Sequence, residues 1–275
     1  MQWLKTILYG LVSGLTECIP VSSRAHQAIL SLLFGFGEAA PLRQMMIHAA
    51  VLAALLVSCS RDIARLRRDW RLAKASARSN PRPVDSRSLM TRRLLKTALV
   101  PMLAGFLFYR KTDGLTASFP MVAGMLVLNG VFLSIPQRVK SGNKDARTMA
   151  PLDGVLIGLA GAISVLPGIS RIGMITSVAS IRGADKGYGL NVALLLSIPA
   201  LVVLLLFDAF AVITAMETIT LLVFLEYILT AAAAFVGCFC GILTMRSLAI
   251  KAGFSGFAYY SWGAALFMMV LYLTT

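Results

Sequence analysis

The first forty residues alternate apolar and polar on a scale that fits neither a soluble helix nor a membrane span. Apolar runs at 6–19 and 27–36 flank the polar stretch Glu17-Cys-Ile-Pro-Val-Ser-Ser-Arg-Ala-His26. A helix rises about 1.5 Å per residue, so neither run crosses a hydrocarbon core of roughly 30 Å. The pattern predicts a re-entrant helical hairpin over 6–36, tolerated at membrane depth where it is buried in protein or lines a cavity. One broken transmembrane helix is the alternative. The pattern recurs at 152–182, where runs 154–166 and 172–181 flank Pro167-Gly-Ile-Ser-Arg171. At a constant offset of 147, Gly14 meets Gly161, Pro20 meets Pro167, Ser23 meets Ser170 and Arg24 meets Arg171. Six further apolar segments, about 44–60, 94–110, 119–137, 190–207, 219–245 and 255–274, read as spans. Each half, 1–150 and 151–275, is therefore a hairpin plus three spans within one membrane domain. An odd number of crossings per half makes the halves antiparallel. The expected fold is an all-α integral membrane protein with six transmembrane helices and two re-entrant hairpins in an inverted repeat. Gly10 and Gly14 form a small-xxx-small pair suited to close helix packing.

Charge then orients the chain. The sequence is 58% hydrophobic and 14% charged, with mean hydropathy +0.79 and a formal charge of +14. A basic balance of that size raises the question of nucleic acid, but the charge is not spread over a surface. Eleven Lys or Arg against three Asp lie between Arg61 and Arg93. Such clustering serves membrane orientation and argues against a nucleic-acid partner. Linkers 61–93, 138–150 (Arg138, Lys140, Lys144, Arg147) and 245–252 (Arg246, Lys251) fall on one side. The opposite linkers hold Arg110 and Lys111, or only Asp208 and Glu217. The positive-inside rule places the first group in the cytoplasm and both termini outside. The first hairpin then enters from outside and the second from the cytoplasm, their tips meeting near mid-membrane. Within the long linker, Ile63, Leu66, Trp70 and Ala73 keep helical spacing among arginines, which suits either an interfacial helix on anionic lipid or a solvated charge run. The four cysteines read as small buried apolar residues, and no cleavable signal peptide is evident.

The two polar tips carry the candidate chemistry. Ionisable groups at membrane depth are costly and persist because they work or pair. Arg171 stands just inside a new helix whose N-terminus offers unpaired N–H donors, and guanidinium binds phosphate bidentately. With Arg24 added, two such ends make an anion site. Ser22, Ser23, Ser170 and Thr176 can donate to phosphate oxygens, although Ser22 and Ser170 are equally suited to cap helices. Glu17 either handles a proton, a water or a divalent cation, or neutralises Arg24 or Arg171. His26 suits acid–base or nucleophilic work in phosphoryl transfer. His48, inside a span, reads as structural, Asn129 and Asn191 as interhelical hydrogen bonders, and Glu226 as an intramembrane acid without an evident role. The residues point to a site for a phosphorylated amphiphile, its head at mid-depth and its tail among the spans.

Gly14-Leu-Thr-Glu17 with Pro20-Val-Ser-Ser23 and His26, together with Leu166-Pro-Gly-Ile-Ser-Arg171 and Thr176, resemble the bacitracin-resistance family of undecaprenyl-diphosphate phosphatases. The layout is similar over nearly the whole chain, including Tyr188 and Leu194-Leu-Leu-Ser-Ile-Pro199. The resemblance implies hydrolysis of the lipid diphosphate to its monophosphate at the outer face of the bacterial plasma membrane, for recycling of the cell-wall carrier. It implies Glu17 and His26 near the chemistry, Ser23 as hydroxyl ligand or nucleophile, Arg171 on the diphosphate, and a divalent cation such as Mg²⁺ or Ca²⁺ held through Glu17. Five positions depart from the family pattern. Ser13 stands where a second acidic or amide residue is usual, the Gly before the histidine is Ala25 and follows Arg24, Ile172 replaces a serine, and Asn191 replaces an acid. Arg24 can offset phosphate charge in place of a metal. The alternatives are a polyprenyl-phosphate transporter or flippase on the same fold, and a non-catalytic lipid-binding membrane partner.

Overall fold

The computed structural model describes residues 2–36, 40–76, 85–138, 142–215, 219–251, 254 and 256–274. Lys140, Glu217 and the 77–84 part of the basic linker, all used in the sequence reading, lie outside the described residues. Among the described residues the chain is all-helical apart from an isolated bridge between Lys144 and Ala184. The helices are α1 Gln2–Cys18, α2 Ser23–Phe34, α3 Pro41–Ser58, α4 Ser60–Ser76, α5 Ser86–Phe106, α6 Tyr109–Asp113, α7 Phe119–Arg138, α8 Pro151–Ile163, α9 Arg171–Ile181, α10 Lys186–Ala215, α11 Leu221–Lys251 and α12 Gly256–Thr274.

Both breaks fall where the polar motifs sit. Helix α1 stops at Cys18 because Pro20 has no N–H to continue the ladder, and α2 starts from Ser22, whose hydroxyl accepts the Ala25 N–H at 3.4 Å. After α8, Pro167 and Gly168 (φ +100°) make the second tip, and α9 starts from Ser170, whose hydroxyl accepts the Gly173 N–H at 3.1 Å. The base of each pair is tied as well. Lys5 donates to the Phe34 carbonyl at 3.0 Å, and Arg182 pairs with the buried Asp153. Almost every residue of α9 is buried, which is what a polar tip inside an apolar fold requires.

Five helices, α3, α7, α10, α11 and α12, are long and apolar enough to cross a membrane, which makes this a multi-pass membrane architecture. The sequence pattern reads as six. Helix α5 has the length, 21 residues, but Arg87, Arg92, Arg93 and Lys96 occupy its first half. Its apolar part also ends at Phe106, so the predicted span 94–110 is cut by a turn before α6. One correction concerns Asp208, which the sequence reading assigns to a linker and which is buried inside α10. The amphipathic stretch of the basic linker is helical as α4, with Ile63 and Leu66 against the core. Helix α10 is the most enclosed of the five (56% of its apolar window buried, against 22% for α12) and forms the centre on which α3, α5 and α9 pack.

The hairpins pack against the opposite half of the chain. Helix α1 lies along α11, and α8 lies along α5. Glycine makes both contacts possible. A Cβ on Gly10 would come within 2.2 Å of the Thr230 carbonyl oxygen, and one on Gly14 within 1.9 Å of that of Ala234. A Cβ on Gly158 would come within 2.1 Å of the Ala98 oxygen. Backbone meets backbone in both places, the geometry that small residues permit between membrane helices.

Candidate active site

The tips of the two hairpins touch. Ser22 of the first accepts the Gly168 N–H of the second at 3.0 Å, while Ser170 of the second donates to the Ile19 carbonyl of the first at 3.3 Å. Asn129, fully buried on α7, clamps both tips. Its amide nitrogen donates to the Pro20 carbonyl at 3.2 Å and to Ser261 at 3.1 Å, and its oxygen accepts the Ser170 N–H at 2.9 Å. Asn129 is thus the interhelical bonder that the sequence suggested. Ser22 and Ser170 cap their helices, and each hydroxyl also joins the hairpins. The two helix N-termini therefore begin side by side.

Beside this contact lies a cavity of about 40 Å³, lined by Glu17, Ser23, Arg24, Tyr109, Arg171 and His48 among others. That is space for a few water molecules at most. Across it Arg171 forms an ion pair with Glu17, both largely shielded, with side-chain exposures of 7% and 14%. Glu17 thus takes Arg171 as its counter-ion, one of the two options the sequence left open. The Arg171 Nε also donates to Ser197 at 3.1 Å, and Ser197 in turn donates to the Ala193 carbonyl at 2.9 Å. Such a chain fixes the guanidinium plane, which bidentate binding of a phosphate needs. Arg24 reaches across to the Val165 and Ser164 carbonyls of the second tip and lies 5.2 Å from the Tyr109 ring centre. The charged side chains lining the cavity are one carboxylate and two guanidiniums.

Not every expected residue joins them. Ser23 lines the cavity and donates to the Ser13 carbonyl at 3.2 Å. Thr176 is buried one turn into α9, its hydroxyl spent on the Ile172 and Gly173 carbonyls, and it does not line the cavity. His26 is turned away as well. Its Nδ1 is 2.7 Å from the Ser22 carbonyl, its Nε2 is 2.7 Å from the Tyr260 hydroxyl, and its ring stacks on that of Tyr260. The reason is local. One turn into α2, the imidazole points along the helix face that meets α12, not toward the tip. His48 is the histidine that lines the cavity, its Nδ1 2.6 Å from the Asp208 carboxylate. No local pattern signals this pair, whose members are 160 residues apart on different helices.

The divalent cation implied by the resemblance needs several anionic or imidazole donors around one point. Among the described residues no three His, Cys, Asp or Glu side chains come together in that way. Glu17, the carboxylate on the cavity, is already engaged by Arg171, and Ser13 one turn before it offers only a buried hydroxyl without a partner. The residues present do not fit a metal centre.

Comparison with known proteins agrees with this geometry. The family model described as bacitracin resistance protein BacA matches residues 6–267. A protein of Carboxydothermus hydrogenoformans named undecaprenyl-diphosphatase is 28% identical over 273 residues, covering 98% of each chain. One of the same name from Methanobrevibacter smithii is 30% identical over 276 residues, again 98% of each. A third, from Syntrophotalea carbinolica, is 33% identical over 202 residues, 73% of this chain and 74% of its own. With a match over nearly its full length and the motif residues gathered where the hairpins meet, the chain belongs to the bacitracin resistance protein BacA family.

Proposed function

We propose that the protein is an integral membrane phosphatase that hydrolyses undecaprenyl diphosphate, or a similar polyprenyl diphosphate, to the monophosphate and inorganic phosphate. The observation that carries this reading is the Glu17–Arg171 pair between the hairpin tips, with Arg24 on the same cavity. Two guanidiniums and two helix N-termini around one carboxylate favour an incoming anion. The diphosphate draws Arg171 away from Glu17, and the space opens as that pair parts. Arg171 and Arg24 then bear the charge that develops on the terminal phosphoryl group, Ser23 donates to it, and the released Glu17 carboxylate orients the attacking water. The donor set gives a divalent cation no place in this scheme. His26 serves by holding the first tip against α12.

The packing supports an inverted repeat. If α1–α2 corresponds to α8–α9, α3 to α10, α5 to α11 and α7 to α12, then the α1–α11 contact maps onto the α8–α5 contact, and α3–α10 and α7–α12 map onto themselves. Each half then supplies a hairpin and three crossings, with α5 as the sixth despite its basic start. Placing the basic ends of α5 and α11 and all of α4 in the cytoplasm puts both termini outside and opens the cavity toward the outer face of the bacterial plasma membrane. That is where the spent cell-wall lipid carrier is released.

The test is phosphate release from undecaprenyl diphosphate by the purified protein, with and without EDTA, alongside transfer of labelled undecaprenyl monophosphate across liposomes. Release that persists in EDTA is the expected result. Transfer across liposomes without any release would overturn the phosphatase reading in favour of a flippase.

A further inference from the structure

We propose that His48, oriented by Asp208, is the proton acceptor for the hydrolytic water; this rests on the phosphatase reading above. Both side chains are buried, at 7% and 8% exposure, on two helices that pack together at the centre of the fold. The short contact, 2.6 Å from Nδ1 to the carboxylate, fixes the tautomer. An ionised Asp208 only accepts, so Nδ1 carries the hydrogen and Nε2 keeps its lone pair. A histidine held by a carboxylate at one nitrogen, with its other nitrogen unprotonated, is the arrangement of a general base with its orienting partner. The side-chain amide nitrogen of Gln44, one turn earlier on α3, is 3.0 Å from Nε2. As drawn it donates to the neutral ring, and rotating the amide by half a turn presents its oxygen to a protonated one, so the same residue suits both states.

The second ground is where the pair sits. His48 lines the cavity that holds Glu17 and Arg171, whereas His26, the other histidine of the chain, is closed off by Ser22 and Tyr260. The charged groups around His48 are Asp208 from α10, Glu17 from α1 and, across the cavity, Arg24 and Arg171. Helix α11, also packed on α3, brings the thiol of Cys238 against the Val51 carbonyl a turn further along. Glu17 is tied to an arginine, whereas the Nε2 lone pair of His48 meets the neutral side-chain amide of Gln44, which the incoming water displaces. In the step, the water oxygen bonds to the terminal phosphorus, the bridging P–O bond breaks, and its electron pair leaves with the polyprenyl monophosphate. The water proton passes to Nε2 of His48, the Asp208 carboxylate stabilises the imidazolium, and the proton returns to solvent with the departing phosphate. The monophosphate is a good leaving group as an anion and needs no acid. His48 is the catalytic residue and Asp208 its positioning residue.

The experiment follows phosphate release from undecaprenyl diphosphate across pH 5–9 for the full chain in detergent. His48→Gln should lower kcat by about 10²–10⁴-fold, the range for loss of a general base, with little change in KM. It should also abolish the fall in kcat at acid pH, where a protonated His48 cannot accept. Asp208→Asn should lower kcat and displace that acid limb, and Asp208→Glu should restore both in part. His26→Gln, whatever its turnover, should keep the acid limb. Because a lone Asp208 is a buried unpaired charge, the double variant His48→Leu/Asp208→Leu guards against misfolding, since apolar replacement of a buried pair is usually tolerated. A folded double variant with wild-type kcat and an intact acid limb would overturn the assignment while leaving the phosphatase reading in place. If the wild-type protein releases no phosphate, both fall together.

Discussion

Gly14 offers a way to move the site without touching it. Replacing it with alanine puts a methyl 1.9 Å from the Ala234 carbonyl oxygen and 2.6 Å from its carbonyl carbon. Those atoms belong to backbone inside α11 and cannot swing aside, so α1 must retreat by about 1 Å to restore ordinary contact. Overpacking of this kind costs about 1–3 kcal/mol, and a backbone obstacle places it toward the upper end. Glu17 is three residues along the same helix, so the displacement carries its carboxylate away from Arg171. A shift of about 1 Å at a positioned group can cost on the order of 10²-fold in rate. Gly14→Ala should therefore lower both the thermal unfolding midpoint in detergent and the rate of phosphate release. Gly124→Ala on α7, where an added methyl meets no atom within 4 Å, is the matched control and should change neither. Wild-type midpoint and turnover in Gly14→Ala would refute the claim that the α1–α11 contact sets the site.

Other consequences are as direct. Asn129→Ala strands the Pro20 carbonyl and the Ser170 N–H at the meeting point of the tips, and should cost about 1–3 kcal/mol together with most of the activity, read by unfolding and turnover in one preparation. Asp85 caps α5, accepting the Arg87 N–H at 2.9 Å, so Asp85→Ala should destabilise the start of that helix by about 1 kcal/mol, seen as faster amide exchange. The Arg65 guanidinium bonded to Asp85, and then that backbone N–H, hold its carboxyl below the usual carboxylate range. Its contribution is consequently complete above that range and lost as pH falls through the lowered value. Amide protection in the first turn of α5 should therefore decline in acid for the wild type and be low throughout for Asp85→Ala.

Local pattern revealed what is local. Each polar break between short apolar runs is a turn between two helices, because proline and a serine cap end and restart helices using only neighbouring residues. Gly10 and Gly14 became a close helix contact for the same reason: a small-residue spacing describes one face of one helix. What escaped was what depends on distant partners. Span 94–110 reads as one largely apolar segment, yet the helix ends at Phe106 and turns before α6. Asp208 looks like a linker charge because nothing near it in sequence shows that His48 hydrogen-bonds to it. The two histidines exchanged expected places on the same ground. His26 stands in the polar motif but meets Tyr260, 234 residues away, while His48 stands in an apolar run but reaches the cavity. The Glu17–Arg171 pair is one of the alternatives the sequence leaves open, and it is legible at all because the two motifs echo each other, which is long-range information carried in the repeat.

The central claim is that the cavity at the meeting of the hairpins is where a lipid diphosphate is cleaved. Steady-state phosphate release from undecaprenyl diphosphate, comparing the wild type with Arg171→Ala at matched unfolding midpoints, tests it most directly. Steady turnover by the wild type and a loss of about 10²-fold or more in Arg171→Ala is the expected result for removal of a group that bears transition-state charge. Equal turnover by the two proteins would contradict the account.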